Sequence, residues 1–244
     1  MFKAAFIALL ASLICVGFAN ADSEGSTNFV ARPKIGAARL TLPSHLSWQA
    51  TDTANGTHLV TLSLVVDVYS VLHDIRALSA AALDKAIPCG DLLKVRDASA
   101  RLLGATTISY DLRFHYAKRL CAGGNIPLEI PADISCSSII ALSGAGAVVA
   151  ADIRGATSEP CAIAGASPGL ANFASKKVFK RHFLDLTQQL PPEFQGVTVN
   201  VRSIAFDIPP ATPRLRITGD AAMSDQQFAA FTARARAVIR AAHN

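Results

Sequence analysis

Gly165-Ala166-Ser167-Pro168-Gly169 has the G-x-S-x-G spacing of a hydrolase nucleophile elbow. In such an elbow the residue after the serine gives its backbone N–H to the developing oxyanion. Here that residue is Pro168, which has no N–H to give. The tract before it, Ala162 to Ala164, is also a poor buried strand. The stretch therefore reads as a Ser-Pro-Gly turn. Gly144-Ala145-Gly146 begins like a dinucleotide fingerprint, but its third glycine position holds Val149 and its flanks read as antiparallel strands. A tight hairpin accounts for it.

The six histidines, His45, His58, His73, His115, His182 and His243, are scattered, with no H-x-x-x-H or H-E-x-x-H spacing. No zinc site of that kind is written. Asp111 and His115 share a strand face but lie roughly 13 Å apart, and His73-Asp74 is a lone neighbour pair. Both read as solvated surface. The chain is expected to be no enzyme and to need no cofactor or metal.

Cysteine chemistry is more informative. The chain opens with Lys3, an apolar run from Ala4 to Phe18 and a small-x-small site at Ala19-Asn20-Ala21. Residues 1–21 thus read as a secretory signal peptide, cut after Ala21, and the protein as exported, periplasmic or extracellular. A membrane anchor would need ~20 apolar residues. Cys15 leaves with the signal, and Cys89, Cys121, Cys136 and Cys161 remain. An even set in an oxidising compartment argues for two disulfides. Cys89 and Cys121 flank a predicted turn at Gly104–Thr106, and Cys136 and Cys161 flank one at Gly144–Gly146. That symmetry predicts Cys89–Cys121 and Cys136–Cys161. No C-x-x-C occurs, so neither a zinc knuckle nor a redox pair is suggested. A net charge of +5 is far from a nucleic-acid signature.

The elements that must position these residues follow from periodicity. Residues 22–36 are polar and irregular and read as a flexible lead-in to one α+β domain over 37–244. Val60, Leu62, Leu64, Val66 and Val68 share one face of a strand that follows an Asn55-Gly56 hairpin turn. Asp74 to Lys85 is rich in helix formers and is stopped by Pro88 and Gly90. Ile108, Tyr110, Leu112, Phe114 and Tyr116 alternate with polar residues as the clearest strand. Residues 136–155 predict two strands around the Ser143–Gly146 turn. Leu170 to Leu190 predicts a long amphipathic helix, with Leu170, Phe173, Phe179, Phe183, Leu186 and Leu190 on one face. Lys176, Lys177, Lys180 and Arg181 lie mostly away from that face, where they would meet solvent or anionic headgroups in a peripheral membrane contact. Ser224 predicts the N-cap of a closing helix with Asp225 in its first turn and an apolar side at Phe228, Phe231, Ala235 and Ile239.

Two stretches look written twice. Val95-Arg96 and Val201-Arg202 each start a strand-like run that crosses an Ala-Thr loop and resumes at Leu-Arg. In each, the apolar positions change parity: Val95 is odd but Ala98, Ala100 and Leu102 are even, and Val197, Val199 and Val201 are odd but Ile204, Phe206 and Ile208 are even. A parity change inside a strand means a bulge, or a strand that passes from one core to another. The expected fold is α+β, a curved antiparallel sheet packed around long amphipathic helices with an internal helix–strand–strand duplication.

On residues 78–116, 170–218 and the closing helix, this arrangement resembles the tubular lipid-binding superfamily that includes bactericidal/permeability-increasing protein. The resemblance covers under half of the mature chain and shares no specific motif. It implies a carrier for a lipid or other hydrophobic small molecule, with no catalytic residues. Tyr110, Phe114, Phe173, Phe179, Phe183, Leu186 and Phe206 are the candidate cavity lining. A cell-envelope structural or adaptor protein with a filled core is the other reading. A lipid that co-purifies with the native protein would separate the two.

Overall fold

A computed structural model describes residues 24–35, 38–53, 56–86, 90–120, 128–157, 160–164, 181–207 and 212–243. Strands β1 (Glu24–Ala31), β2 (Lys34–Ile35), β3 (Ala38–Arg39), β4 (Leu42–Thr53) and β5 (Thr57–Asp67) come first. Two helices follow, Tyr69–His73 and Ile75–Leu83. Next are β6 (Lys85–Ala86), β7 (Asp91–Gly104), β8 (Thr107–Leu120), β9 (Leu128–Ala145), β10 (Val148–Gly155), β11 (Cys161–Ala164) and β12 (Arg181–Asp185). Two single 3-10 turns precede β13 (Thr198–Asp207) and β14 (Arg214–Ser224), and the closing helix is Asp225–His243.

The strands build two large antiparallel sheets. One has the order β1-β4-β5-β14-β13, the other β12-β10-β9-β8-β7-β6 with β11 also paired to β9. The α+β expectation is therefore corrected: the chain is mostly β, and sheet packs on sheet where a sheet gripping long helices was expected. One core lies between the sheets, with Leu42, Val66, Ile204, Phe206 and Leu215 from the first meeting Leu142, Val149, Ala151 and Leu184 from the second. A second core sits on the first sheet under the closing helix, around Trp48, Val60, Met223 and Phe231. A third holds helix Ile75–Leu83 against the second sheet, around Val95, Tyr110, Leu112, Phe114 and Ile134.

The helix expected over 170–190 marks the main difference. Residues 165–180 lie outside the described residues, and with them the 165–169 turn. From Arg181 the chain is strand β12 and then a 3-10 turn at Thr187–Gln189. Within β12, Leu184 is buried and Phe183 is 52 % exposed, the in-out alternation of a strand. Asp185 then takes bonds from the Thr187 backbone N–H (3.0 Å) and Thr187 Oγ1 (2.6 Å). A short acidic side chain that satisfies the backbone two residues on competes with a helix and favours a turn. Helical spacing of Phe183, Leu186 and Leu190 is thus a coincidence of strand, turn and loop.

The lead-in expected over 22–36 contains β1, which pairs along its full length with β4. The signal peptide expected over residues 1–21 lies outside the described residues. The hairpin at Gly56 is present, with Gly56 at φ +66, the left-handed region that glycine enters freely. The closing helix starts as expected. Ser224 Oγ accepts from Gln227 N (3.3 Å), and Gln227 Oε1 accepts from Ser224 N (2.9 Å), a reciprocal capping box.

The two Val-Arg segments become hairpins β7–β8 and β13–β14, one in each sheet. Both ladders shift register at the arginine, between Val95 and Asp97 and between Val201 and Ser203. Arg96 and Arg202 are the extra residues of the two bulges. The helix–strand–strand duplication is corrected in one respect: helix Ile75–Leu83 precedes the first hairpin, but among the described residues only 3-10 turns precede the second.

Candidate functional site

The inner face of the five-stranded sheet carries Leu46 on β4, Leu62 and Leu64 on β5, Ile217, Ala221 and Met223 on β14, and Val199 and Val201 on β13. Each is placed there by the period-2 alternation of its strand. At the ends of β5 this face is closed, with Val60 and Val66 fully buried. In the middle, Leu62 and Leu64 are only half-buried, because an apolar pocket of about 170 Å³, partly open to solvent, lies over them.

The roof of the cavity comes from two elements. One is the segment 186–197, which places Leu186, Leu190, Phe194 and Val197 on the cavity. It is held by Leu186 N donating to Ala147 O (2.9 Å), Phe194 N to Pro191 O (2.9 Å) and Val197 N to Phe194 O (3.2 Å). Asp185 anchors its start. The hydrogen bond from the Thr187 hydroxyl holds the Asp185 carboxyl below the usual carboxylate range. The other element is the closing helix, which contributes Phe231 and Arg234. Gln227 Nε2 donates to Gln195 O (2.9 Å) and ties helix to segment. Trp48 lies behind the cavity wall, edge-on to Phe231 at 5.8 Å between ring centroids.

Small residues in the floor leave the space. β14 reads Leu215, Ile217, Gly219, Ala221, Met223 along its inner face. Gly219 faces the Arg202 bulge so closely that a Cβ there would come 2.6 Å from Asn200 O. The bulge thus dictates glycine, and glycine opens the floor.

Charged side chains lie off the apolar walls: Asp220 alternates with Gly219 and Ala221 and so projects from the opposite face of β14. Asp220 is buried and accepts from Thr61 Oγ1 at 3.0 Å and from Arg202 Nε. Arg234 pairs with Glu193, and its Cζ lies 5.6 Å from the Phe194 ring centroid. No group of three or more metal-ligating side chains occurs among the described residues.

The expected lining residues are dispersed. Leu186 lines the cavity. Tyr110 and Phe114 belong to the packed core under helix Ile75–Leu83, and Phe206 to the core between the sheets. Tyr110 Oη is 2.9 Å from Ser79 Oγ, and burial pushes its phenol above the ordinary tyrosine range. Phe183 is largely exposed on β12. Phe173 and Phe179 lie outside the described residues, as do Lys176, Lys177 and Lys180. Arg181 opens β12. The lining that was missed has a visible signal: on β14 the inward positions shrink to Gly219 and Ala221 between larger neighbours.

Cys136 and Cys161 form a disulfide. They stand directly opposite each other in the β9–β11 ladder. The hairpin turn they were expected to flank is at Gly146-Ala147, and β10 pairs with β9 beside it. Strand β11 then continues along the same edge of β9. Cys89 and Cys121 lie outside the described residues. Of the acid–histidine neighbours, His73 Nδ1 is 2.9 Å from Asp74, while His115 Nδ1 is 2.9 Å from Asp133 rather than near Asp111. No family model, no curated protein and no solved structure matches the chain.

Proposed function

We propose that the protein is an exported binder of a small hydrophobic molecule, held in the cavity between the five-stranded sheet, the 186–197 segment and the closing helix. The observation that carries this reading is the half-buried Leu62 and Leu64 in the centre of an otherwise closed apolar face, over about 170 Å³ of space. Enclosed apolar cavities of roughly 150 Å³ take up benzene-sized ligands, and this pocket has a similar volume with an opening through which a guest enters. Water gains nothing from such walls, so an apolar guest is the favourable content. The size fits one ring, a short alkyl chain or the end of a longer acyl chain. The reading stands on the cavity, not on the resemblance to tubular lipid-binding proteins.

The test uses the chain's one tryptophan. Trp48 touches Phe231, a wall of the cavity. Titration of the folded protein with an apolar, environment-sensitive dye is expected to saturate and to change Trp48 emission in step. Val199→Phe fills the cavity from its half-buried wall and is expected to weaken binding about tenfold or more. Dye uptake only after acid or heat treatment would mean a packed interior and would sink the carrier reading in favour of a filled-core envelope protein.

A further inference from the structure

We infer that the cavity is built for an anionic amphiphile: a short apolar tail of about six to eight carbons, judged by the benzene-sized guest of a similar cavity, ending in one carboxylate held by Arg234. This rests on the cavity reading and adds the class of ligand. Among the described lining residues the ionisable ones are Asp220 and Arg234. Asp220 is already satisfied by Arg202 and Thr61, and it is buried. It projects from the face of β14 opposite Gly219 and Ala221, so it does not draw a cation into the cavity. Arg234 differs. Its partner Glu193 and Arg234 itself are each about one-third exposed, and an exposed pair of this kind contributes little and exchanges readily. The guanidinium has five N–H donors in a planar fork, more than one carboxylate uses. Its position 5.6 Å from the Phe194 centroid keeps it over that ring by cation–π attraction while its N–H edges serve a ligand. Phe194 is itself cavity roof, so a tail against Phe194 brings its headgroup to Arg234. A carboxylate there either shares the fork with Glu193 or displaces it.

The experiment compares octanoate with octan-1-ol on the purified full chain, read by displacement of the dye and by Trp48 emission. Both are expected to bind the unaltered protein. Arg234→Leu is expected to weaken octanoate about tenfold, the scale of one charge-assisted hydrogen-bond pair, and to leave octan-1-ol within about twofold. Glu193→Gln removes the competing carboxylate and is expected to tighten octanoate about threefold. It does so without touching the cavity wall, so the outcome survives if the leucine variant folds poorly. An equal change for both ligands in Arg234→Leu, together with no gain in Glu193→Gln, overturns the headgroup assignment and leaves the cavity reading standing. Failure of both ligands to bind the unaltered protein overturns the cavity reading and this inference with it.

Discussion

Gly25 is a small residue with a large constraint. It sits on β1 opposite Trp48 on β4, and a Cβ there would lie 2.2 Å from Trp48 Cζ2. The indole is buried and backed by Phe231, so either the ring or β1 must shift to admit a Cβ. Gly25→Ala is expected to destabilise the protein by about 1–3 kcal/mol, the cost of overpacking a tight site. Denaturant titration at neutral pH checks it, and an unchanged midpoint would show that β1 moves aside. Tyr110 makes a second residue-scale case. Burial favours its neutral phenol and raises its pKa in the folded state, although the Ser79 hydroxyl bond opposes this. Stability from a raised group is complete below the unfolded value, about 10 for tyrosine, and is lost as pH rises through the folded value. Tyr110→Phe is therefore expected to cost about 1 kcal/mol near neutral pH but to shrink the alkaline loss. Ser79 keeps its bond to Ile75 O (2.6 Å) in that variant. Denaturation midpoints of both proteins from pH 7 to 11 decide it, and parallel curves would exclude the phenol.

At the scale of elements, Cys136–Cys161 joins β11, four residues long, to β9 in direct register. So short a strand at a shared edge has few ladder bonds of its own. Replacing both cysteines with serine is expected to cost about 3 kcal/mol on the chain-entropy model for a loop of this length, with β11 amides losing hydrogen-exchange protection before those of β9. Peptide mapping without reductant that joined either cysteine to another partner would refute the pairing. How far such elements were legible depended on whether a local signal decided them. The bulges were written plainly, because inserting one residue forces apolar positions to change parity, and Arg96 and Arg202 fall at the change. The Gly56 turn and the Ser224 cap were legible for the same reason: each is fixed by residues in immediate sequence. The 181–190 stretch was not. Apolar residues at 183, 186 and 190 satisfy a helical period, and the Asp185–Thr187 turn that breaks it is a two-residue event. Strand β1 was hidden too, since its polar sequence pairs with β4 through backbone and through the absent side chain of Gly25. The cavity was half legible: the β5 face was visible, but the space over it depends on residues brought in from β13, β14 and the closing helix.

For the whole molecule, the decisive joint is where the second sheet meets β13. An edge strand leaves backbone groups open to pairing with other chains. Here the edge of β13 is taken by the hairpin tips of the other sheet: Val201 N donates to Gly146 O (2.7 Å) and Phe206 N to Ala105 O. Val201 also walls the cavity, so the joint and the candidate site share a strand. Gly144, next to the β9–β10 turn, lets the two approach, since a Cβ there would come 2.4 Å from Val201 Cγ1. Gly144→Leu would wedge the sheets apart at this point. The unaltered protein is expected to unfold in one step, with Trp48 emission and far-ultraviolet dichroism superimposed, because the core between the sheets couples them. Gly144→Leu is expected to lower stability by about 2–3 kcal/mol and to separate the two signals. Trp48, on the five-stranded sheet, then reports one transition, while dichroism also reports the other sheet. It is also expected to weaken ligand uptake, because Val201 shifts with the joint. Superimposed transitions with unaltered binding in that variant would show that the sheets are held by the rest of their core, and that β13 does not transmit strain from one sheet to the cavity of the other.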